Sequence, residues 1–369
     1  MMDILLPFLI LGVVLLIHLV FVNINIGLGL FSYLLRIKSI YNDELESVAR
    51  KAFKFLAATE IISGLFGTII TVVLAGLWPT LFNIAMIILY IPILVSLVGI
   101  MLRMTSIVGF WYTWGASRTK IHLIIGFIMV VSGFMIPGGF RYIFAFIDKP
   151  VGLISMSPIT GDPIVAFNNP IYPPLLLHTW IGALSIGLLT LATGFAWASK
   201  YDDSLTKWGA YAALWGALLI IPQGIIGFWF WNILSVESPY LFKSIMGPLS
   251  SPMGGHTNVF PTFIFMILSG IYLLIAGIVF YKAPYRLNVG YTLGPVSILS
   301  LLFGEFTHDY GRLPYMVLSG DGGLKAELFV NKLLILSIGD ILIIFIPIII
   351  MLLIFLGFLY MYLVKGFLT

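Results

Sequence analysis

Long, nearly uncharged apolar runs constrain this chain more than any other feature. A helix that crosses the hydrocarbon layer needs about 20 apolar residues at a rise of about 1.5 Å each. Nine segments meet that requirement: 5–35, 52–78, 81–114, 121–147, 173–199, 206–234, 257–281, 288–308 and 330–365. Inside lipid every backbone N–H and C=O needs a partner within the protein, which favours helices for such runs. The expected fold is an all-α, polytopic transmembrane helix bundle, read as one membrane-embedded domain over 1–369. The first, third and last segments exceed one bilayer width and are expected to tilt or to extend beyond the lipid. The third also reads as two shorter helices broken near Pro92.

Composition agrees. Hydrophobic residues make up 60% of the 369 positions and charged residues 9%, against about 25% charged in a soluble domain. A soluble enzyme, a nucleic-acid binder and a disordered protein are excluded on that ground. The net charge of +4 therefore belongs to membrane topology and not to nucleic acid. Cysteine is absent, which excludes Cys-ligated iron–sulfur clusters, thiolate haems, c-type haem attachment and disulfides. The first apolar run is too long for a signal-peptide core and lacks a basic leader, so no cleavable signal is expected.

Basic residues test the topology. With the N-terminus outside, the inner segments hold twelve: Arg36, Lys38, Arg50, Lys51, Lys54, Arg118, Lys120, Lys200, Lys207, Lys282, Arg286 and Lys365. The outer segments hold six: Arg141, Lys149, Lys243, Arg312, Lys325 and Lys332. This bias supports nine spans with the N-terminus outside. The long loops, about 148–172, 235–256 and 309–329, then lie outside and read as ordered turns.

Ionisable residues within spans are costly and point to function. His18 lies about 20 Å along the first span, at about 1.5 Å per residue, in a stretch without another polar side chain. It reads as a ligand for metal or haem iron, or as a buried histidine bonded to a helix carbonyl. His178 lies near the outer end of the fifth span, and Met266 lies about nine residues into the seventh, counted from the outside. A His/Met pair makes a low-spin haem site, whereas Met266 alone reads as packing. Glu305, His308, Asp309 and Arg312 cluster at the outer end of the eighth span. They read as a solvated rim, an ion-pair network, or a ligand set with an arginine for a propionate. Glu60, Arg103 and Asp340 also lie within spans, where they could pair or line a proton path. His122 and His256 read as surface histidines. His18, His178, Met266 and Asp309 come from four helices and share the outer half of the membrane, as cofactor sites in bundles do.

These residues resemble a family, subunit I of the cytochrome bd quinol oxidases. The first span, His18-Leu-Val-Phe21-Val22-x4-Gly27, is similar to that family's opening helix. Asn169-Pro170 followed by His178-Thr179, Phe265-Met266-x3-Gly270, Asp309-Tyr310-Gly311-Arg312-Leu313-Pro314-Tyr315 and Ser337-x-Gly339-Asp340 resemble its later motifs in order and spacing. The resemblance runs from the first helix to the last. It implies that His178 and Met266 are the axial ligands of a low-spin haem b. It implies that His18 binds one haem of a high-spin pair, haem b or haem d, where oxygen is reduced to water. Asp309 stands where the family has a glutamate serving the other haem, and Arg312 would contact propionates. Glu60 and Asp340 are the candidate proton path, and Glu237 and Lys243 the candidate quinol loop. The implied partners are quinol, oxygen, membrane lipid and a second membrane subunit, related or identical. The implied setting is a respiratory chain in the plasma membrane.

The chain departs from the family pattern in three places. Asp309 is one methylene shorter than glutamate. The window 89–109 carries no carboxylate and has Arg103 instead. The loop after the sixth span is cut down to about 232–256. These departures open a second reading, a b-type cytochrome or diverged partner subunit that has lost oxygen reduction. A third is a haem-free transporter or structural membrane protein, although no inverted repeat supports it.

Overall fold

A computed structural model describes residues 5–40, 42–115, 119–247 and 257–331, with scattered positions between 339 and 357. The described residues form a helical bundle. Its helices are α1 (Leu5–Ser39), α2 (Asp43–Leu77), α3 (Pro79–Ile88), α4 (Tyr90–Tyr112), α5 (Thr119–Asp148) and α6 (Pro163–Ala166). They continue as α7 (Tyr172–Ala198), α8 (Ser204–Leu218), α9 (Ile220–Glu237), α10 (Pro239–Met246), α11 (Phe260–Lys282) and α12 (Leu287–Tyr310). Eight stretches among the described residues are long and apolar enough to cross a membrane, with α8 and α9 counted as one. They match the first eight predicted segments in order. The ninth, 330–365, falls mostly outside the described residues, as do Arg118, His256, Lys332, Asp340 and Lys365.

The third segment takes the two-helix form expected from Pro92, and the sixth is broken too, for the same reason. The third segment breaks at Leu89, before Pro92, and the sixth at Leu219, before Pro222. Proline is tolerated in a first turn, where its missing N–H has no intrahelical partner. The chain therefore restarts a helix just ahead of each proline. Likewise α2 begins at Asp43, nine residues before the apolar run, because the Asn42 side chain accepts a hydrogen bond from Leu45 N at 3.3 Å and caps it.

α1 runs through the bundle against α2, α5, α7 and α12. It approaches α7 closely at a glycine pair, where a Cβ on Gly27 would lie 2.7 Å from the Gly187 Cα. Pro137 interrupts the α5 ladder. Around it, neighbouring helices donate to three α5 carbonyls: Ser96 Oγ to Ile136 at 2.7 Å, Trp180 Nε1 to Phe134 at 3.2 Å and Tyr172 Oη to Gly138 at 2.5 Å. Such donors are what allow proline within a span. Antiparallel hairpins β1–β2 (Leu153–Met156, Ile159–Gly161) and β3–β4 (Tyr315–Ser319, Gly322–Lys325) order two of the long loops, and α10 lies in the third.

Candidate functional site

A charged cluster is buried where the ends of α5 and α12 meet. The last turns of α12 bring Glu305, His308 and Asp309 together, with Arg312 just beyond the helix. α5 supplies Arg141 and Asp148. Asp148 has no exposed side-chain surface. One of its carboxylate oxygens accepts from Arg312 Nη1 at 3.1 Å and the other from His308 Nε2 at 2.7 Å. A carboxylate can only accept, so His308 carries its hydrogen on Nε2. Arg312 Nη2 donates to Asp309 Oδ1 at 2.6 Å, and Arg141 Nη2 to Glu305 Oε1 at 2.7 Å. Burial opposes the charge on Arg312, but the Asp309 and Asp148 carboxylates more than offset it and hold its pKa above the ordinary arginine value. Ion pairs thus engage Glu305, His308, Asp309 and Arg312, each with a partner in the cluster.

Two members of the network were not singled out from sequence. Arg141 is not part of an outer loop, as the charge count has it, but is buried within α5, 5% exposed. Asp148 did carry a signal: it is the single acid between Glu60 and Asp162. Placed at a helix C-terminus, it opposes the macrodipole, so it asks for cationic partners.

The three candidate ligands of the apolar interior share one feature. Each faces a glycine on a neighbouring helix. His18 on α1 has its Cε1 3.0 Å from where a Cβ on Gly67 of α2 would lie. The corresponding distances are 3.1 Å from His178 Cε1 to a Cβ on Gly227 of α9, and 3.0 Å from Met266 Sδ to a Cβ on Gly304 of α12. A side chain at any of the three glycines would press on the candidate ligand.

Hydrogen bonding distinguishes the two histidines. His18 Nδ1 donates to the Ser63 carbonyl at 2.8 Å. This leaves Nε2 as the nitrogen with a free lone pair, the arrangement that orients metal-binding histidines. His178 Nε2 lies 2.9 Å from the Gln223 side-chain nitrogen, while its Nδ1 and Gln223 Oε1 are buried without a hydrogen-bond partner. Orphaned buried polar atoms are costly. Gln223 escaped the sequence reading because a single glutamine in a span carries no charge.

His178 reaches the charged cluster through Phe230, whose ring centroid is 6.2 Å from His178 and 6.0 Å from His308. His178 and Met266 project from different helix pairs, and among the described residues no hydrogen bond or ring contact joins them. A haem site with one or two axial ligands needs no cluster of acids and histidines. Among the described residues no group of three or more His, Cys, Asp or Glu gathers to hold a metal ion.

Deeper in the bundle Arg103 on α4 is 2% exposed and grips Glu60 of α2 with Nε at 3.3 Å and Nη2 at 3.0 Å. Its remaining donors reach the Met129 carbonyl at 2.6 Å and the Asn25 carbonyl at 3.1 Å. Gly29 and Gly133 leave room for the guanidinium. Glu60 lies one turn before Ser63, so α2 serves both His18 and Arg103. His122 is buried, not at the surface, with Nε2 accepting from Arg36 Nε at 3.1 Å and Nδ1 2.8 Å from Thr113 Oγ1. At the other end of the bundle Glu237 pairs with Lys149, and Lys243 pairs with both oxygens of Asp321 at 2.6 Å. Asp340 lies outside the described residues.

No family model matches the sequence, and no curated protein matches it. Solved structures do. A bd oxidase chain from Geobacillus thermodenitrificans superposes with a TM-score of 0.82 at 15% identity, covering 99% of this chain and 98% of that one. The bundle described above is therefore similar in fold to a bd oxidase chain over 99% of its length, at 15% sequence identity.

Proposed function

We propose that this chain is the haem-binding membrane subunit of a bd-type terminal oxidase, passing electrons from a quinol towards oxygen. His178 and Met266 would hold a low-spin haem b, and His18 one haem of a high-spin pair, b or d in type. The observation that carries this reading is the glycine opposite each of these three side chains, on a fold similar to that of a bd oxidase. Haem, when bound, would supply the one-electron chemistry that the side chains lack.

The protein's own part is positioning and charge. Ser63 fixes the His18 tautomer and leaves its Nε2 lone pair available. His178, buried with one ring nitrogen lacking a hydrogen-bond partner, would be the second histidine available to hold haem iron. Arg312, fixed between Asp148 and Asp309, would present its remaining donor capacity to a propionate. Glu60 and Asp340 are the carboxylates assigned to proton delivery, and Glu237 and Lys243 to the quinol side. A second membrane subunit, related or identical, and a plasma-membrane setting complete the proposal.

A second reading has a specific observation behind it. The Asp309 carboxylate is clamped by Arg312, and α4 places an arginine where a carboxylate is expected. Both favour a b-type cytochrome that keeps the low-spin haem and no longer reduces oxygen. The reduced-minus-oxidised absorption spectrum of the purified protein, repeated with carbon monoxide, tests both. Low-spin bands with a CO-sensitive component support the oxidase. Low-spin bands without a CO response support the cytochrome, and absence of haem after reconstitution overturns both.

A further inference from the structure

One cavity lies far from the candidate ligands, at the bundle end where α7 finishes and α12 begins. It is a wide-mouthed hollow of about 690 Å³, lined by Lys200, Tyr285, Arg286, Asn288 and Tyr291, among others. Three features of its chemistry point the same way. Among the described residues neither Lys200 nor Arg286 has a carboxylate within ion-pair distance. Asp202, the acid nearest to Lys200 in sequence, is held by Lys51 at 2.6 Å. The first residues of α12, Leu287–Val289, line the same cavity with no side-chain cap, so the helix end adds its positive pole to the two cations. The Lys200 ammonium sits 5.3 Å from the centroid of the Tyr291 ring, which directs it over the cavity wall.

The surroundings fix the depth. Trp197, Tyr201, Tyr211, Tyr281 and Tyr285 are all exposed around this end. Exposed tryptophan and tyrosine side chains concentrate at the headgroup level of a bilayer, where one end of the ring is apolar and the other wet. An uncompensated basic cavity at that depth, between membrane helices, matches the phosphodiester of an anionic phospholipid. We infer that the Lys200–Arg286 cavity binds the headgroup of an anionic phospholipid from the adjoining leaflet. The site is independent of haem and of any redox activity.

The test uses the full-length purified chain in neutral detergent, titrated with dihexanoyl-phosphatidylglycerol and followed by thermal unfolding. Saturable stabilisation is expected. The Lys200→Gln/Arg286→Gln variant should bind about 25-fold more weakly, from about fivefold per cationic side chain. Lys120→Gln, a control at the same end of the bundle but outside the cavity, should bind as the unaltered chain does. Inorganic phosphate and dihexanoyl-phosphatidylcholine at equal concentration should not stabilise. Equal binding by the double variant, or an equal loss in Lys120→Gln, overturns the site. Stabilisation by phosphate alone to the same degree overturns the lipid as its ligand. Should the double variant not fold, the phosphate and phosphatidylcholine titrations of the unaltered chain decide.

Discussion

Arg312 and Asp148 lie 164 positions apart in sequence and 3.1 Å apart in the fold. The contact ties the end of α12 to the end of α5, and Asp148 holds His308 with its other oxygen. Removing one member of a buried pair strands the other charge, at a cost of about 3–5 kcal/mol. Asp148→Ala should therefore lower the apparent unfolding temperature sharply. Asp148→Asn, which keeps an acceptor oxygen, should lower it less. Thermal unfolding of both variants in detergent checks the order.

The Glu60–Arg103 pair makes the opposite kind of prediction. Glu60→Leu and Arg103→Leu should each destabilise by about 3–5 kcal/mol, because each leaves an unpaired charge in the bundle. The double variant should recover part of that loss, since no charge is then stranded. A double-mutant cycle on apparent stability measures the recovery. Additive losses would contradict the coupling.

Glycine positions separate room for a ligand from helix packing in general. Gly227→Ala would place a methyl 3.1 Å from His178, and Gly67→Ala would place one 3.0 Å from His18. Gly224→Ala and Gly64→Ala, one turn away on the same helices, meet nothing within 4 Å. The first two should reduce the haem-to-protein ratio, and the second two should leave it unchanged. A pyridine haemochrome assay reads the ratio directly.

Acid sensitivity follows from Asp202. The Lys51 hydrogen bond, with help from Ser204, holds its carboxyl below the usual aspartate range. A depressed folded-state pKa contributes stability above the unfolded pKa of about 3.9, and that contribution is lost as pH falls through the folded value. The pair is partly exposed, so the effect is small. Asp202→Asn should narrow the stability difference between pH 7 and pH 3 slightly, as followed by thermal unfolding at the two pH values.

The sequence was legible wherever one residue's neighbours decide the outcome. Twenty-residue apolar runs located eight stretches because burial in lipid leaves the backbone no alternative to helix. Helix ends were less legible. The charged extension Asp43–Lys51 of α2 has no hydropathy signal, and the breaks at Leu89 and Leu219 depend on where a proline is tolerated. Pairings were least legible. The order of motifs brought His18, His178, Met266 and Asp309 forward, and the scarcity of intramembrane charge made Glu60 and Arg103 a possible pair, which the structure forms, but nothing near Asp148 reveals Arg312. Those contacts exist because a low-dielectric interior forces distant charges to find each other.

The central claim is that His178 and Met266 hold a low-spin haem. The most direct measurement is the reduced-minus-oxidised visible spectrum of the purified protein beside His178→Ala and Met266→Ala. The account predicts low-spin b-type bands in the unaltered protein that are lost in both variants, with any CO-sensitive signal assigned to His18 retained. Low-spin bands that persist unchanged in both variants would contradict it.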